Sequence, residues 1–247
     1  MSSPEKVYIY GKHALEEALI AAPHAIKKVF LSPTAHDPEL VSLIEKNQIS
    51  LAELKQGKGG ELVGSDATHQ GVIAVMDPSS LLQDFDTFIG NLEVTPRTAV
   101  AILGEVQDPH NVGAIIRSAA AFGLAAVLIP EHRQAGITGT VVKTSAGMAF
   151  RIPLVTIGNV NYAIRALKEK GFWVYGLAMD GAQPLPTEKF DAPAAFVIGN
   201  EGEGIREKTL ELCDIALSIP MHERTESLNA AVSAGVVFYA WNTKVHT

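Results

Sequence analysis

The chain has 247 residues, 47% of them apolar, and a formal net charge of −7 at pH 7. With a mean hydropathy of +0.16, it has enough apolar material for a large buried core in one or two domains. The negative charge argues against indiscriminate nucleic-acid binding, because lysine and arginine supply nearly all of the non-specific affinity for phosphates.

Nothing in the sequence indicates membrane insertion or secretion. The longest apolar runs, residues 119–130 and 230–241, are about 12 residues long, whereas a membrane-spanning helix needs about 20. The amino terminus lacks a basic region followed by an apolar one, and the single Cys213 has no partner for a disulfide within the chain. We therefore expect a cytoplasmic protein without a membrane span.

The first third of the chain predicts a small α/β unit. Its predicted elements are a helix at residues 13–20, a strand at 28–31, a helix at 38–46 and a strand at 71–76. The stretch 79–96 has little periodicity and several turn-forming residues, so we predict a linker that holds one short helix. The resulting domains are residues 1–78 and 97–247, joined by the linker 79–96.

From Thr98 onwards, apolar strands alternate with helices, which predicts a mainly parallel sheet covered by helices on both faces. Ligands of such folds bind beyond the carboxyl ends of the strands. The predicted strands are residues 99–103, 125–129, 172–178, 195–198 and 215–219, and the predicted helices are residues 111–122, 136–146, 159–170 and 228–241.

Three separated segments of this second domain carry polar and glycine residues where a strand gives way to a helix. The first, Asp108–Ser118, places Asn111 near the start of a helix and Arg117 as the charged residue of its apolar run. A buried guanidinium needs a partner, and its planar fork suits a phosphate or a carboxylate. In the alternative interpretation, Asn111 only caps the helix and Arg117 pairs with a neighbouring acid.

The second segment, Phe196–Ile205, has glycines at 199, 202 and 204. This spacing differs from the dinucleotide fingerprint, and Glu201 and Glu203 would repel a pyrophosphate, so a nicotinamide dehydrogenase is disfavoured. A glycine loop with carboxylates suits a ligand with hydroxyls or positive charge. A plain turn into a helix near Ile205 is compatible with that role.

The third segment brings Ile219 and Pro220 to a strand end and places Ser227 and Asn229 where the last helix begins. Serine and asparagine there are helix caps by default. The last helix, residues 228–241, is apolar nearly all round and therefore needs burial on more than one side.

The three segments together resemble the motifs of the SpoU/TrmH family of RNA 2′-O-methyltransferases, over roughly residues 97–245. The front motifs, Tyr10–Leu19 and His69–Ala74, resemble the substrate-binding domain of the branch that methylates a guanosine in large-subunit ribosomal RNA. The resemblance implies a knotted (trefoil) α/β catalytic domain, a small RNA-binding α/β domain in front, and methyl transfer from S-adenosylmethionine to a ribose 2′-hydroxyl. It also implies a homodimer in which partner residues complete the site.

The resemblance also assigns site residues. It implies catalytic roles for Asn111, Arg117, Glu201, Ser227 and Asn229. It implies contacts with the methyl donor for Gly199, Ile219 and Leu228, mostly through backbone groups. Because arginine stays protonated, Arg117 is expected to grip the phosphate beside the target ribose rather than to act as a base.

An RNA site in this acidic chain must be a local cluster of basic residues. A solvated surface is the alternative for those in the front domain. The candidates are Lys12, Lys27, Lys28, Lys55, Lys58, Arg117, Arg133, Lys143 and Arg151.

Two departures from the family pattern affect the substrate more than the reaction. A charged turn, His222–Thr225, stands where the family commonly has a glycine, and Phe150 replaces a frequent glutamate. The expected substrate is large-subunit ribosomal RNA or its precursor. Transfer RNA is the first alternative, and a non-catalytic RNA-binding or ribosome-assembly protein is the second. The eight histidines show no paired spacing, and with one cysteine we expect no metal site.

Overall fold

The computed structural model describes residues 6–55, 57–64, 69–178, 182–225 and 227–245. The chain divides into two compact units. The first contains Met1–Leu82 and Ile137–Arg151, and the second contains Gln83–Gly136 and Ile152–Thr247.

The described residues form twelve strands and nine α-helices. The strands are β1 (Val7–Tyr10), β2 (Ile26–Leu31), β3 (Ser50–Glu53), β4 (Val72–Met76), β5 (Leu82–Asp84), β6 (Ala99–Gly104), β7 (Ala126–Pro130), β8 (Leu154–Ile157), β9 (Trp173–Leu177), β10 (Gln183–Pro184), β11 (Ala194–Gly199) and β12 (Ile215–Ser218). The helices are α1 (Lys12–Ala21), α2 (Pro38–Lys46), α3 (Lys58–Val63), α4 (Phe85–Asn91), α5 (Pro109–Ala121), α6 (Gly139–Thr144), α7 (Val160–Glu169), α8 (Glu207–Leu210) and α9 (Ala230–Val245).

The first unit is built on a four-stranded sheet in the order β1-β4-β2-β3. Strand β4 is antiparallel to both neighbours, and β2 and β3 are parallel. Helix α2 keeps its predicted bounds because Asp37 caps it by accepting from the amides of Glu39 and Leu40, and Pro38 fits the first turn. Leu40 and Ile44 then bury its apolar face.

Helix α6 belongs to the first unit although it lies far along the chain. It packs against β1, where a Cβ at Gly139 would lie 2.2 Å from the carbonyl oxygen of Tyr8. The ammonium of Lys143 sits 5.0 Å from the centre of the Tyr10 ring. Residues 137–151 therefore supply part of the packing of the front sheet.

The second unit is built on an eight-stranded sheet in the order β10-β12-β9-β11-β6-β7-β8-β5. Every pairing from β10 to β8 is parallel, with Gly199 beside Gly104 at the ends of β11 and β6. The apolar central strands are buried, as a parallel sheet covered on both faces requires. The prediction of a mainly parallel α/β sheet is confirmed, whereas the trefoil knot stays a prediction.

Several short elements did not stand out in the sequence. Strands β5 and β10 have three and two residues and lie at the two edges of the large sheet, and β3 is half-exposed. The stretch 79–96, predicted as a linker with one helix, contains β5 and α4. Helix α4 packs into the core of the second unit through Phe85 and Phe88. In the described part of the chain, no helix is long and apolar enough to cross a membrane.

Candidate active site

Three side chains from the three sequence segments form a chain of hydrogen bonds. The amide of Asn111 donates to Glu201 Oε1 at 2.9 Å, and the amide of Asn229 donates to Asn111 Oδ1 at 2.9 Å. Asn111 is thereby saturated on both sides, by an acceptor from the glycine loop and a donor from the segment before α9. We call these three residues the polar triad.

Helix α5 begins before Asn111, so the alternative that Asn111 caps it is wrong. Asp108 is the cap, with its carboxylate accepting from the amide of His110 at 2.8 Å. Asn111 lies in the first turn and is only 7% exposed. The buried Ile115 and Ile116 fix the rotation of α5, and α5 packs against α9. The side chain of Asn111 is therefore held in place from both helices.

Glu201 is an anchored carboxylate. Its oxygens accept from the Asn111 amide and from the backbone amides of Gln107 and Asp108, at 3.2 and 3.1 Å. Partial burial raises the pKa of Glu201, but these hydrogen bonds outweigh it and hold the pKa below its ordinary value. Glu201 is thus ionised at neutral pH and is a poor proton acceptor.

The glycine loop after β11 is tightly closed. Asn200 accepts from the amides of Gly202 and Glu203 at 2.8 and 3.2 Å and donates to the carbonyl of Glu105 at 2.9 Å. A Cβ at Gly199 would lie 2.3 Å from the carbonyl carbon of Gly204. Only glycine allows this approach of backbone to backbone.

The segment before α9 has a double role. Asn229 caps α9 by accepting from the amides of Ala231 and Val232, at 2.9 and 3.2 Å, while its own amide holds Asn111. The capping interpretation of Asn229 and the site interpretation therefore both hold. Ser227 is exposed and caps no helix in the described residues. Leu228 is 36% exposed, which is unusual for a large apolar side chain next to a polar cluster.

Arg117 is not part of the polar triad. It is exposed on α5 and has no ion pair or hydrogen bond with any residue in the described ranges. The alternative in which Arg117 pairs with a neighbouring acid therefore finds no support among these residues. Asn111 and Arg117 are six residues apart, so they leave the helix in directions about 120° apart. The structure leaves the guanidinium available for a ligand.

Most of the predicted basic cluster is already paired within the first unit. Lys12 binds Asp37, Lys27 binds Asp77, and Arg151 binds Glu17. The ammonium groups of Lys28 and Lys143 sit 5.0 Å from the rings of Phe30 and Tyr10. Among the described residues, the predicted basic residues that remain without such a partner are Lys55, Lys58, Arg117 and Arg133.

Both departures from the family pattern have clear positions. His222–Thr225 forms an exposed turn, closed by the Thr225 amide on the His222 carbonyl at 2.9 Å. Phe150 is buried at the end of a short 3-10 turn in the first unit. Across the described residues, no group of three or more histidine, cysteine or acidic side chains is arranged to hold a metal ion.

Two of the residues expected to contact the methyl donor, Gly199 and Ile219, lie at the carboxyl ends of strands of the large sheet. Gly199 ends β11 and Ile219 follows β12, and these parallel strands flank β9 on either side. Leu228 is an exposed apolar side chain next to Asn229 of the polar triad, and the ionised Glu201 carboxylate of the same triad attracts positive charge. Backbone approach at Gly199, an apolar cover and a carboxylate together fit a ligand with a ribose, an ammonium and a sulfonium.

The family comparison decides what this arrangement is. The profile described as the SpoU rRNA methylase family matches residues 98–239, more than half of the chain. The chain belongs to the SpoU rRNA methylase family. A second profile, described as RNA 2′-O ribose methyltransferase substrate binding, matches residues 8–82. The predicted family and its reaction class, RNA 2′-O-ribose methylation, are confirmed.

The relatives of the chain agree with this membership. The 23S rRNA (guanosine-2′-O-)-methyltransferase RlmB of Nitrosomonas europaea is 36% identical over 94% of this chain and 89% of that protein. The protein of the same name in Neisseria meningitidis is 36% identical, over 93% and 92%. The SpoU methyltransferase AviRb of Streptomyces viridochromogenes, solved with AdoMet, shares the fold with a TM-score of 0.80 at 19% identity, over 98% and 91%.

The sequence did not single out three residues that make contacts around the glycine loop. Asn200 closes the glycine loop, and Glu105 pairs with Arg206 at 2.6 Å across the same loop. Asparagine directly before a glycine is a common turn residue, and that signal was available for Asn200. Glu105 and Arg206 lie 101 residues apart in the chain, and no local pattern marks them as partners.

Proposed function

We propose that this protein transfers the methyl group of S-adenosylmethionine to the 2′-hydroxyl of a guanosine in large-subunit ribosomal RNA. The observation that carries the proposal is the polar triad, which joins all three motif segments through two hydrogen bonds of 2.9 Å. The names of the relatives at 36% identity supply the nucleotide and the RNA class.

The proposed donor site lies among Gly199, Ile219 and Leu228. When bound there, S-adenosylmethionine supplies an electrophilic methyl group on a positively charged sulfur. Gly199 allows close backbone contact, Leu228 covers the apolar side, and ionised Glu201 gives the loop a negative potential.

The proposed nucleotide site uses the free guanidinium of Arg117. It holds a phosphate next to the target ribose through two parallel hydrogen bonds, which fixes the ribose oxygen relative to the donor. Orientation of this kind contributes about 7 to 11 kcal/mol in well-aligned intramolecular reactions. The gripped phosphate itself is the proposed proton acceptor, because arginine stays protonated.

The polar triad and Ser227 have different proposed roles. Asn111 and Asn229 keep the starts of α5 and α9 together, and Glu201 fixes the orientation of the Asn111 amide, so we assign all three to positioning. Exposed Ser227 adjoins Leu228, and its free hydroxyl is proposed to bind the target nucleotide.

Residues 1–78 are the proposed RNA-binding domain, residues 79–96 the linker and residues 97–247 the methyltransferase domain, with the predicted trefoil knot. Within the last of these, residues 137–151 pack with the first unit and supplement the proposed RNA-binding domain. The match of a substrate-binding profile to residues 8–82 supports this role for the front domain. The alignments to the RlmB relatives cover 94% and 93% of this chain, so they extend over the front domain, which favours ribosomal RNA over transfer RNA.

A cytoplasmic homodimer is the proposed working form. Helix α9 buries Val237, Phe238 and Trp241 in its own unit, yet Val232 and Tyr239 are 51% and 57% exposed. A second copy of this chain is the proposed cover for this stripe, since an apolar stripe of that kind marks an interface.

The decisive experiment maps ribose methylation in 23S rRNA from cells that lack this protein. We expect the loss of one 2′-O-methyl guanosine, restored by the wild-type gene but not by the Arg117→Ala variant. Loss of a methyl group from transfer RNA instead would identify transfer RNA as the substrate. An unchanged methylation pattern, together with no heat in calorimetry with S-adenosylmethionine, would favour the non-catalytic alternative.

A further inference from the structure

A cleft of about 160 Å³ opens beyond the carboxyl ends of β6, β7 and β8. Its lining includes none of the residues of the proposed donor site, Gly199, Ile219 and Leu228. The polar side chains of its lining come from Glu105, His132, Asn159, Asn161, Arg206 and Thr209.

The guanidinium of Arg206 is held in a fixed orientation at this cleft and keeps unpaired hydrogen-bond donors among the described residues. Its Nη2 donates to Glu105 Oε2 at 2.6 Å, and the side chain stays half-exposed. In the described residues, its remaining donors have no partner. Glu105 therefore fixes the guanidinium in place and leaves the rest of its planar fork for a ligand, the geometry that suits a phosphate.

The start of α7 supplies further donors to the same cleft. The Asn159 oxygen caps this ten-residue helix by accepting from the amides of Asn161 and Tyr162. Thr209 donates to the Asn161 oxygen at 2.8 Å and so directs that side-chain amide. The side-chain amides of Asn159 and Asn161 donate to none of the described residues. These two free side-chain amides, together with the positive end of the helix dipole, add favourable potential for an anion.

The backbone of Glu105 is held in an uncommon conformation. Its φ is 67°, a region that residues other than glycine seldom adopt. Asn200 holds its carbonyl and Arg206 holds its carboxylate. Strain of this kind persists where the surroundings enforce it, and it is commonest at functional sites.

We propose that this cleft binds a phosphate of the substrate RNA outside the target nucleotide, with Arg206 as the main contact. The proposal rests on the proposed function, because it needs RNA bound at the carboxyl ends of the strands. Arg206 and Glu201 belong to the same glycine loop, so the strand would run along both sides of that loop. The single-stranded segment next to the target would then have two phosphate contacts, at Arg117 and at Arg206.

The test compares the salt dependence of binding of unmodified 23S rRNA transcript for three variants. Arg206→Gln removes the charge, and Glu105→Gln removes the ion pair but keeps the guanidinium. Arg97→Gln is the matched control, since Arg97 is exposed just before β6, at the amino-terminal end of that strand, whereas the cleft lies beyond its carboxyl end. Calorimetry with S-adenosylmethionine and methyl transfer are measured on the same samples.

We expect Arg206→Gln to weaken RNA binding about tenfold at low salt and to lower the salt slope by about 0.7, the value for one phosphate of a single strand. Donor affinity should stay within about twofold. Glu105→Gln and Arg97→Gln should keep the wild-type slope. A fall in slope for Glu105→Gln equal to that of Arg206→Gln would assign the effect to a loosened loop and overturn the proposal.

Two further outcomes separate this proposal from the proposed function. Equal slopes for Arg206→Gln and Arg97→Gln, with a wild-type protein that methylates the transcript, would overturn the phosphate site alone. A wild-type protein that binds the transcript without methyl transfer would overturn the proposed function. The salt slopes of RNA binding would then still show whether Arg206 contacts a phosphate. Tight calorimetric binding of guanosine monophosphate that Arg206→Gln abolishes, with unchanged RNA slopes, would assign the cleft to a free nucleotide and overturn the RNA proposal.

Discussion

The side-chain amide of Asn229 donates to the side-chain oxygen Oδ1 of Asn111 at 2.9 Å, although 118 residues separate them in the chain. This bond fixes the start of α9 to the first turn of α5. Because Glu201 accepts from the other side of Asn111, a change at any of the three residues reaches all three motif segments.

Asn111→Asp should damage both stability and turnover. The new carboxylate would face Glu201 in a nearly buried position, where like charges repel and an amide donor is lost. We expect a loss of about 2 kcal/mol, or roughly 4 to 8 °C in melting temperature, and about a hundredfold lower kcat. Calorimetric melting and methyl-transfer assays measure both. Asn91→Asp is the control: it loses one exposed hydrogen bond to the Thr87 carbonyl, so it should cost much less stability and leave kcat unchanged.

Glu201→Gln should remove a pH-dependent part of the stability. The folded-state pKa of Glu201 lies below its ordinary value of 4.5, so its stabilising contribution is complete above that pH and is lost as the pH falls through the folded pKa. Urea unfolding between pH 7 and pH 3 should therefore show a shallower acid loss for the variant. Glu203→Gln, in the same loop without a side-chain partner in the described residues, should follow the wild type. Parallel curves for wild type and Glu201→Gln would contradict this.

Arg117→Lys should abolish most turnover without changing donor affinity. Lysine keeps the charge but lacks the planar fork, so we expect kcat to fall about a hundredfold. Melting temperature should stay constant, because Arg117 is exposed. Arg165→Lys on α7, also exposed, is the matched control. A lysine variant with normal kcat would remove Arg117 from the mechanism.

Gly199→Ala should disturb the donor site through the backbone. The added methyl would lie 2.3 Å from the carbonyl carbon of Gly204, so the loop must move. We expect a cost of about 1 to 3 kcal/mol and a clear loss of S-adenosylmethionine affinity in calorimetry. Gly202→Ala is the control, since its Cβ would meet only Asn200 Oδ1, at 3.5 Å. Equal donor affinity in both variants would place the donor elsewhere.

Val236→Glu should weaken the dimer. Val236 lies on the exposed apolar stripe of α9, between Val232 and Tyr239. A carboxylate at this position would have to be desolvated when the interface forms, which costs free energy of association. We expect the dimer Kd, measured by sedimentation equilibrium, to rise about tenfold or more. Ile20→Glu is the control, because Ile20 is exposed on α1. A wild-type protein that is monomeric at all concentrations would refute the proposed dimer.

The sequence predicted elements best where periodicity and caps agree. Helix α2 has its predicted bounds because Asp37 and Pro38 mark its start and Leu40 and Ile44 its buried face. Strands β5 and β10 were missed, since two or three residues at a sheet edge carry no measurable alternation.

The sequence predicted only part of the site, because it locates residues along the chain but not their contacts in space. Motif segments locate Asn111, Glu201 and Asn229, but residue types do not say which atoms meet. The exposure of Arg117 and the pairing of Glu105 with Arg206 depend on helix rotation and on contacts across the sheet. Such contacts are fixed only when the whole core packs.

Helix α6 belongs to the first unit but comes after residue 82 in the chain, and this affects how the two units can be produced separately. A gene fragment that stops after Leu82 would encode the front sheet without Lys143 over Tyr10 and without the helix that covers β1. The complementary fragment would express α6 detached from its partner strand. A protein made to study the front half alone therefore needs residues 137–151 joined to it, and we expect neither half to fold by itself after a single cut.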